Sequence, residues 1–195
     1  MRGQTPYGLR KGSAPGRIRA VVRTADIAVV GAGLVGLATA HALATTHRQR
    51  VVVFEKEPRV AAHQSSHNSG VIHSGLYYIP GSARARLCTE GRVRMVEFCR
   101  AHGLAHDVCG KIVVATREDE LPRLEALRLR GLENGLAVTA MTPAEFTAIE
   151  PHAAGLRALH VPEAGIADYP AVARTLAQEI AAAGGAVECR AGARV

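Results

Sequence analysis

Read as a pattern of apolar and polar positions, the chain alternates short unbroken apolar runs with longer stretches of helical spacing. TADIAVV (24–30) is apolar and rich in β-branched residues, the pattern of a buried strand. LATAHALATTH (37–47) carries apolar residues at helical spacing among good helix formers. VVVFE (51–55) is a second buried strand, closed by Pro58. ARARLCTEGRVRMVEFCRAHG (83–103) predicts an amphipathic helix, with Leu87, Val93, Val96 and Phe98 among its apolar positions and Gly103 as its stop. KIVVAT (111–116) reads as a strand. REDELPRLEALRLRGLENG (117–135) reads as a helix with acids early and arginines late, as the helix dipole favours. Thr142 has the character of an N-cap, followed by Pro143 and an acid in the first turn. A strand over 156–162, a helix over 169–185 ended by glycine, and a strand, turn and further strand start over 186–195 complete the series. Strands alternate with helices, which predicts the α/β class. The strand near Ala186 is expected to return to the sheet of the first two. Residues 59–168 then form an excursion into a second lobe. Few parallel strands are accounted for by Val195, so the sheet is expected to be incomplete and the chain to be the N-terminal part of a longer protein.

Charge changes the picture only at one end. The net charge is +7, but residues 1–24 contain Arg2, Arg10, Lys11, Arg17, Arg19 and Arg23 and no acid. The remainder has 18 basic against 17 acidic residues, without the basic face that a phosphate-backbone binder needs. Nucleic acid is therefore not an expected partner. The basic segment has no apolar core of the secretory type and is expected to be a disordered tail. No run is long and apolar enough to span a bilayer. Cys88, Cys99, Cys109 and Cys189 form no C-x-x-C pair, which suits reduced thiols in a cytoplasmic setting and gives no zinc spacing.

The chemistry begins at GAGLVG (31–36), between the first strand and the first helix. In a G-x-G-x-x-G so placed, Gly31 permits the tight turn, Gly33 lets the backbone approach a pyrophosphate, and Gly36 allows close helix–strand packing. Leu34 and Val35 bring the helix N-terminus to the phosphates. Glu55 ends the second strand, where a carboxylate receives ribose hydroxyls and repels a 2′-phosphate; Lys56 follows it. This fingerprint alone leaves NAD and FAD open. The next stretch, HQSSHNSGVIHSGLYYIPGS (63–82), decides between them. It is polar, glycine-punctuated and leads away from the sheet. Ser65, Ser66, Asn68, Ser69 and the backbone at Gly70 offer the small donors that an extended flavin dinucleotide needs.

GAGLVGLATA, VVVFEKE, HQSSHNSGVIHSGLYYIPGS, CGKIVVAT and GIADYPAVA together resemble the N-terminal half of the L-2-hydroxyglutarate oxidase/dehydrogenase family, FAD-dependent oxidoreductases of the D-amino-acid-oxidase type. The resemblance runs from about residue 25 to Val195. It implies a Rossmann-like FAD-binding βαβ unit with an inserted substrate lobe. It also implies oxidation of the C2 hydroxyl of L-2-hydroxyglutarate, with hydride passing to FAD and the electrons to oxygen or a membrane quinone. On this basis 25–82 is the βαβ unit and flavin loop, 83–168 part of the substrate lobe, and 169–195 the returning helix and strand. Val195 falls where the family places a backbone contact to the adenine. Peripheral association with the inner membrane is compatible with this picture. Ile79 stands where the family often has lysine, and Arg84 and Arg86 where lysines are common.

Among single residues, His73 is the first choice for a catalytic base, since imidazole titrates near neutrality. The competing readings are a structural histidine bonding a loop carbonyl and, more remotely, a covalent attachment point for the flavin. Tyr77, Tyr78 and Arg84 are the expected substrate contacts, weighed against packing tyrosines and a solvated arginine. Arg84 and Arg86 lie two apart on a helix, so at most one faces inwards. His63, His67 and His73 match no metal spacing, and no metal is expected. Other readings keep FAD but change the substrate to an amino acid or glycerol 3-phosphate, or make the chain an inactive nucleotide-binding fragment.

Overall fold

The computed structural model describes residues 24–190. The basic segment up to residue 23 and the expected adenine contact Val195 lie outside them. The elements run β1 (Ile27–Val30), α1 (Leu34–Thr45), β2 (Val51–Glu55), β3 (Val71–Ile72), α2 (Ala83–Ala101), β4 (His106–Asp107), β5 (Lys111–Ala115), α3 (Leu121–Glu133), β6 (Thr139–Met141), α4 (Pro143–Ile149), β7 (Arg157–Val161), β8 (Gly165–Ala167), α5 (Tyr169–Ala182) and β9 (Ala186–Cys189). A single 3-10 turn at Glu118–Glu120 leads into α3.

Three small sheets result. The first is parallel, in the order β1-β2-β9, with Ile27 beside Val51 and Val52 beside Ala186. The chain therefore returns to its first sheet with β9, as the apolar pattern predicts. The second sheet is an antiparallel ribbon, β3-β8-β4, and the third is antiparallel, β5-β7-β6. The very short β3, β4, β6 and β8 were not expected from the sequence. Two or three residues cannot display a period, and their extended form comes from the partner strand. Helix α1 begins three residues before the predicted span, directly out of Gly33, whose backbone is extended at the N-cap position.

Local chemistry sets the element ends. The hydroxyl of Ser82 accepts the Ala85 amide at the start of α2. At its end the amides of Gly103 and Leu104 turn back onto Arg100 and Cys99, with Gly103 at φ +62°, the glycine-stopped geometry expected there. The Thr142 amide and hydroxyl both donate to the Glu145 carboxylate, 2.6 and 2.7 Å away, which closes the first turn of α4. Arg50 grips Asp26 through two nitrogens, at 2.6 and 3.1 Å, and ties the start of β2 to the start of β1. That guanidinium holds the Asp26 carboxyl down at about 2.

Two apolar cores follow. The first joins Leu37, Ala40 and Ala44 of α1, Val51 and Val53 of β2, Cys99 of α2, and Val172, Ala173, Leu176 and Ile180 of α5. The small alanines let α1 and α5 approach closely. The second core joins Ala115, Leu124, Leu136, Val138, Leu159 and Val161, and it includes Leu76 from the polar loop. Leu76 is 1% exposed. A Cβ on Gly131 of α3 would stand 2.7 Å from Leu76 Cδ1 and 2.5 Å from Val138 Cγ2, so the helix carries a glycine where the loop's anchor enters. Among the described residues no helix is long and apolar enough to cross a membrane.

Leu76→Ala empties this anchor point. It should cost ~2–5 kcal/mol of stability and speed amide exchange in residues 73–78 more than in β5 or β7. Urea melts and hydrogen exchange read both effects; an unchanged melting curve would contradict the anchoring role.

Candidate functional site

The turn from β1 into α1 is built by close approach. Gly31 has φ +100°, a left-handed backbone that a side chain would strain. A Cβ on Gly36 would lie 2.0 Å from the Gly31 carbonyl oxygen, so nothing larger than glycine fits there without moving backbone. The result is a helix N-terminus with Leu34 and Val35 in its first turn. A helix start leaves its first amides without intrahelical partners, and these form an anion-binding end.

Glu55 is the only buried carboxylate among the described residues, at 9% exposure. Its Oε2 accepts the Ala32 amide at 2.7 Å and its Oε1 the Glu57 amide at 3.0 Å. Burial works against the charge. The amides of Glu57 and Ala32 and the nearby His63 outweigh that, and the carboxyl sits below its usual range. The group expected from the sequence to receive ribose hydroxyls thus also ties the glycine turn to the end of β2. Each carboxylate oxygen has a second lone pair, so further donors can be accepted. The Lys56 side chain is exposed, with its ammonium 3.9 Å from Glu57.

The loop after β2 crosses this turn. Ser65 Oγ accepts the Leu34 amide at 3.0 Å, and a Cβ on Gly33 would meet the same oxygen at 3.2 Å. Ser66 Oγ donates to the Ala61 carbonyl at 2.6 Å. Asn68 Oδ1 accepts the Gly70 amide, and Gly70 turns with φ +71° into β3. Ser69 faces a different hollow, lined with Ala105, His106, Ile166 and Asp168. His63 pairs with Glu57 and His67 turns back on the His63 carbonyl, so these two histidines do not converge with His73.

At the far end of the loop, His73, Tyr78 and Arg84 come together on a cavity of about 520 Å³, with Leu87, Cys88, Arg92, Met95 and Tyr169. Both arginines are exposed, but Arg84 borders this cavity whereas Arg86 pairs with Glu90 at 3.2 Å. The Cys88 thiol donates to the His73 carbonyl at 3.2 Å. Burial pushes that thiol up, which keeps its proton available. Tyr169 donates to the Val71 carbonyl at 3.1 Å. Tyr77 does not share this cavity. Its ring is half exposed and carries the Lys111 ammonium 4.4 Å from its centroid. Asn134 Nδ2, at the end of α3, donates to the carbonyls of Gly75 and Tyr78 at 3.3 and 2.8 Å and clamps the turn that follows His73.

Arg92, Tyr169, Lys111 and Asn134 were not singled out from the sequence. A signal existed for Arg92: Arg84, Cys88 and Arg92 are spaced four apart and share one face of α2. None existed for Asn134 or Lys111, which reach the loop only through long-range packing.

Glu55→Gln places an amide donor against one of the two amide donors it now accepts. This should cost ~1–3 kcal/mol. A carboxyl with a depressed native pKa stabilises the fold above its unfolded value of 4.5, and that contribution fades as pH falls through the native value. The wild type should therefore lead Glu55→Gln at pH 7 and lose that lead in acid. Denaturant melts across this range would show it, and a constant difference would contradict it.

Comparison with known proteins places this geometry. Residues 26–195 match the family model described as FAD dependent oxidoreductase. Two relatives, the mitochondrial L-2-hydroxyglutarate dehydrogenase of Pongo abelii and the L-2-hydroxyglutarate dehydrogenase of Indibacter alkaliphilus, are each 45% identical over 164 residues. These cover 83% of this chain and 39% and 41% of theirs. The chain thus spans about two fifths of the length of these curated relatives. A reduced, FAD-bound L-alpha-glycerophosphate oxidase from Mycoplasma pneumoniae superposes with a TM-score of 0.78 at 24% identity, over 85% of this chain and 44% of that one, which shows a shared fold. The fold class and cofactor expected from the sequence agree with these matches, and the chain belongs to the family of FAD-dependent oxidoreductases.

Proposed function

We propose that this chain supplies the cofactor cradle and part of the substrate pocket of an enzyme that oxidises an L-2-hydroxy acid, L-2-hydroxyglutarate to 2-oxoglutarate. The observation that carries the reading is the cavity that gathers His73, Tyr78, Arg84 and Arg92 at one end of a loop whose other end touches the nucleotide turn. The names of the two relatives at 45% identity support the choice of substrate.

The residues present suit FAD. The tight Gly31–Gly36 turn, the Val35 amide, the Leu34 amide with the Ser65 hydroxyl that accepts it, and the Glu55 carboxylate fit a pyrophosphate and ribose; Lys56 adds a nearby positive charge. Ser65, Ser66, Asn68 and Gly70 line the route of the extended cofactor, and Ser69 faces the hollow beside it. When bound, FAD supplies a hydride acceptor for C2 of the substrate. His73 takes the proton from the C2 hydroxyl, which general-base catalysis requires as the carbonyl forms. Arg84 and Arg92 hold a carboxylate at a fixed distance from that base, and Tyr77 and Tyr78 border the substrate. In this reading residues 25–82 and 169–195 hold the cofactor and 83–168 contribute to the substrate lobe. Electrons leave to oxygen or a quinone. A cytoplasmic location with peripheral contact at the inner membrane goes with the quinone route, whereas the Pongo abelii relative is named mitochondrial.

Two arginines bordering one cavity would also suit a phosphate, so glycerol 3-phosphate is the second substrate to try. The test is an anaerobic mixing experiment on the flavin-loaded protein. L-2-hydroxyglutarate should bleach the flavin band, and His73→Asn should slow bleaching by ~10²–10⁴-fold. Bleaching by glycerol 3-phosphate alone would move the assignment to that substrate. A His73→Asn protein as fast as the wild type would remove the base role.

A further inference from the structure

A second, smaller cavity of about 100 Å³ shares His73 and Tyr78 with the first. Its remaining lining is Ser74, Gly75, Leu76, Tyr77 and Lys111. Two groups in it lack a counterpart. The Ser74 hydroxyl is buried, with the residue 1% exposed, and has no hydrogen-bond partner. Among the described residues Lys111 pairs with no carboxylate; its ammonium rests over the Tyr77 ring. Buried hydroxyls are nearly always bonded, and a cation beside an orphaned hydroxyl is a pairing that an anionic oxygen satisfies.

We propose that Lys111 and Ser74 form a carboxylate-binding subsite next to His73, separate from the Arg84–Arg92 side, so that a dicarboxylate is held by both of its ends around the base. The inference rests on the proposed function and adds to it the residues that select a second carboxylate. Position supports it. Lys111 opens β5 and is paired in register with Val161, so its backbone is fixed by the third sheet. The turn carrying His73 and Ser74 is pinned to the same lobe by Leu76 and Asn134. The two sides also meet electrically at Cys88, whose thiol touches the His73 carbonyl: the positive charges of Arg92 and Lys111 both act on it, against the effect of burial. A monocarboxylate would fill only one side.

The test uses the full chain with glutarate as an inert dicarboxylate. Lys11, Lys56 and Lys111 are the three lysines of the chain, so amine acetylation can be followed at each by peptide mass spectrometry. Glutarate at ten times its dissociation constant should slow acetylation of Lys111 by about tenfold, the fraction of free sites that remains. Lys56 should be unaffected, and butyrate should protect much less. Ser74→Ala should weaken glutarate protection by about tenfold, as loss of a hydrogen bond to a charged group does. Unchanged acetylation of Lys111 with glutarate, or equal protection of Lys56, would overturn the subsite. Flavin reduction by L-2-hydroxyglutarate is read separately. Protection of Lys111 without reduction upholds the subsite and counts against the reaction; reduction without protection upholds the reaction and overturns the subsite.

Discussion

The hydrogen bond from the Ala32 amide to the buried Glu55 carboxylate is the constraint on which the nucleotide end depends. It joins the turn after β1 to the last residue of β2, 23 positions away. Parallel pairing brings Val30 beside Phe54, and the carboxylate then fixes the turn at the edge of the sheet. The same charge would be costly to bury without its two amide donors. Its place in the fold and its suitability for a ribose therefore arise from one arrangement. Gly36 completes it, because α1 can start so close to Gly31 only where no Cβ stands between them.

The loop over 63–82 carries that geometry to the chemistry. It is held at both ends by different parts of the molecule. Ser65 docks on the α1 N-terminus, and Leu76 is buried in the second core. Between them, β3 pairs with β8 immediately before α5. His73 is thus placed by three independent attachments: the ribbon behind it, the Cys88 thiol at its carbonyl, and the Asn134 clamp on the turn beyond it. The base role proposed for His73 needs this kind of support, because small displacements carry large rate penalties.

Much of this was legible in the sequence where local rules decide. The unbroken apolar strands, the G-x-G-x-x-G turn, the glycine stop after α2 and the Thr142–Glu145 cap each follow from residue chemistry within one turn or strand. The grouping of His73, Tyr78 and Arg84 was also readable, since they lie within twelve residues on a loop and the helix it enters. The rest was not, for a common reason. Lys111 and Asn134 reach the loop from 33 and 56 residues beyond Tyr78, through tertiary packing that no periodicity records. The short β3, β4, β6 and β8 take their form from partners. Tyr77 and Tyr78 were expected to act together, but only Tyr78 borders the larger cavity, while Tyr77 lies on the smaller one under Lys111.

The central claim is that one turn and one loop hold a flavin dinucleotide. An equilibrium titration of flavin-free protein with FAD, followed by flavin fluorescence and circular dichroism, tests it most directly. The account predicts saturable one-to-one binding of FAD, abolished in a folded Gly36→Ala variant and not displaced by NADP. Folded wild-type protein that leaves FAD free, or that binds it equally well after Gly36→Ala, would contradict it.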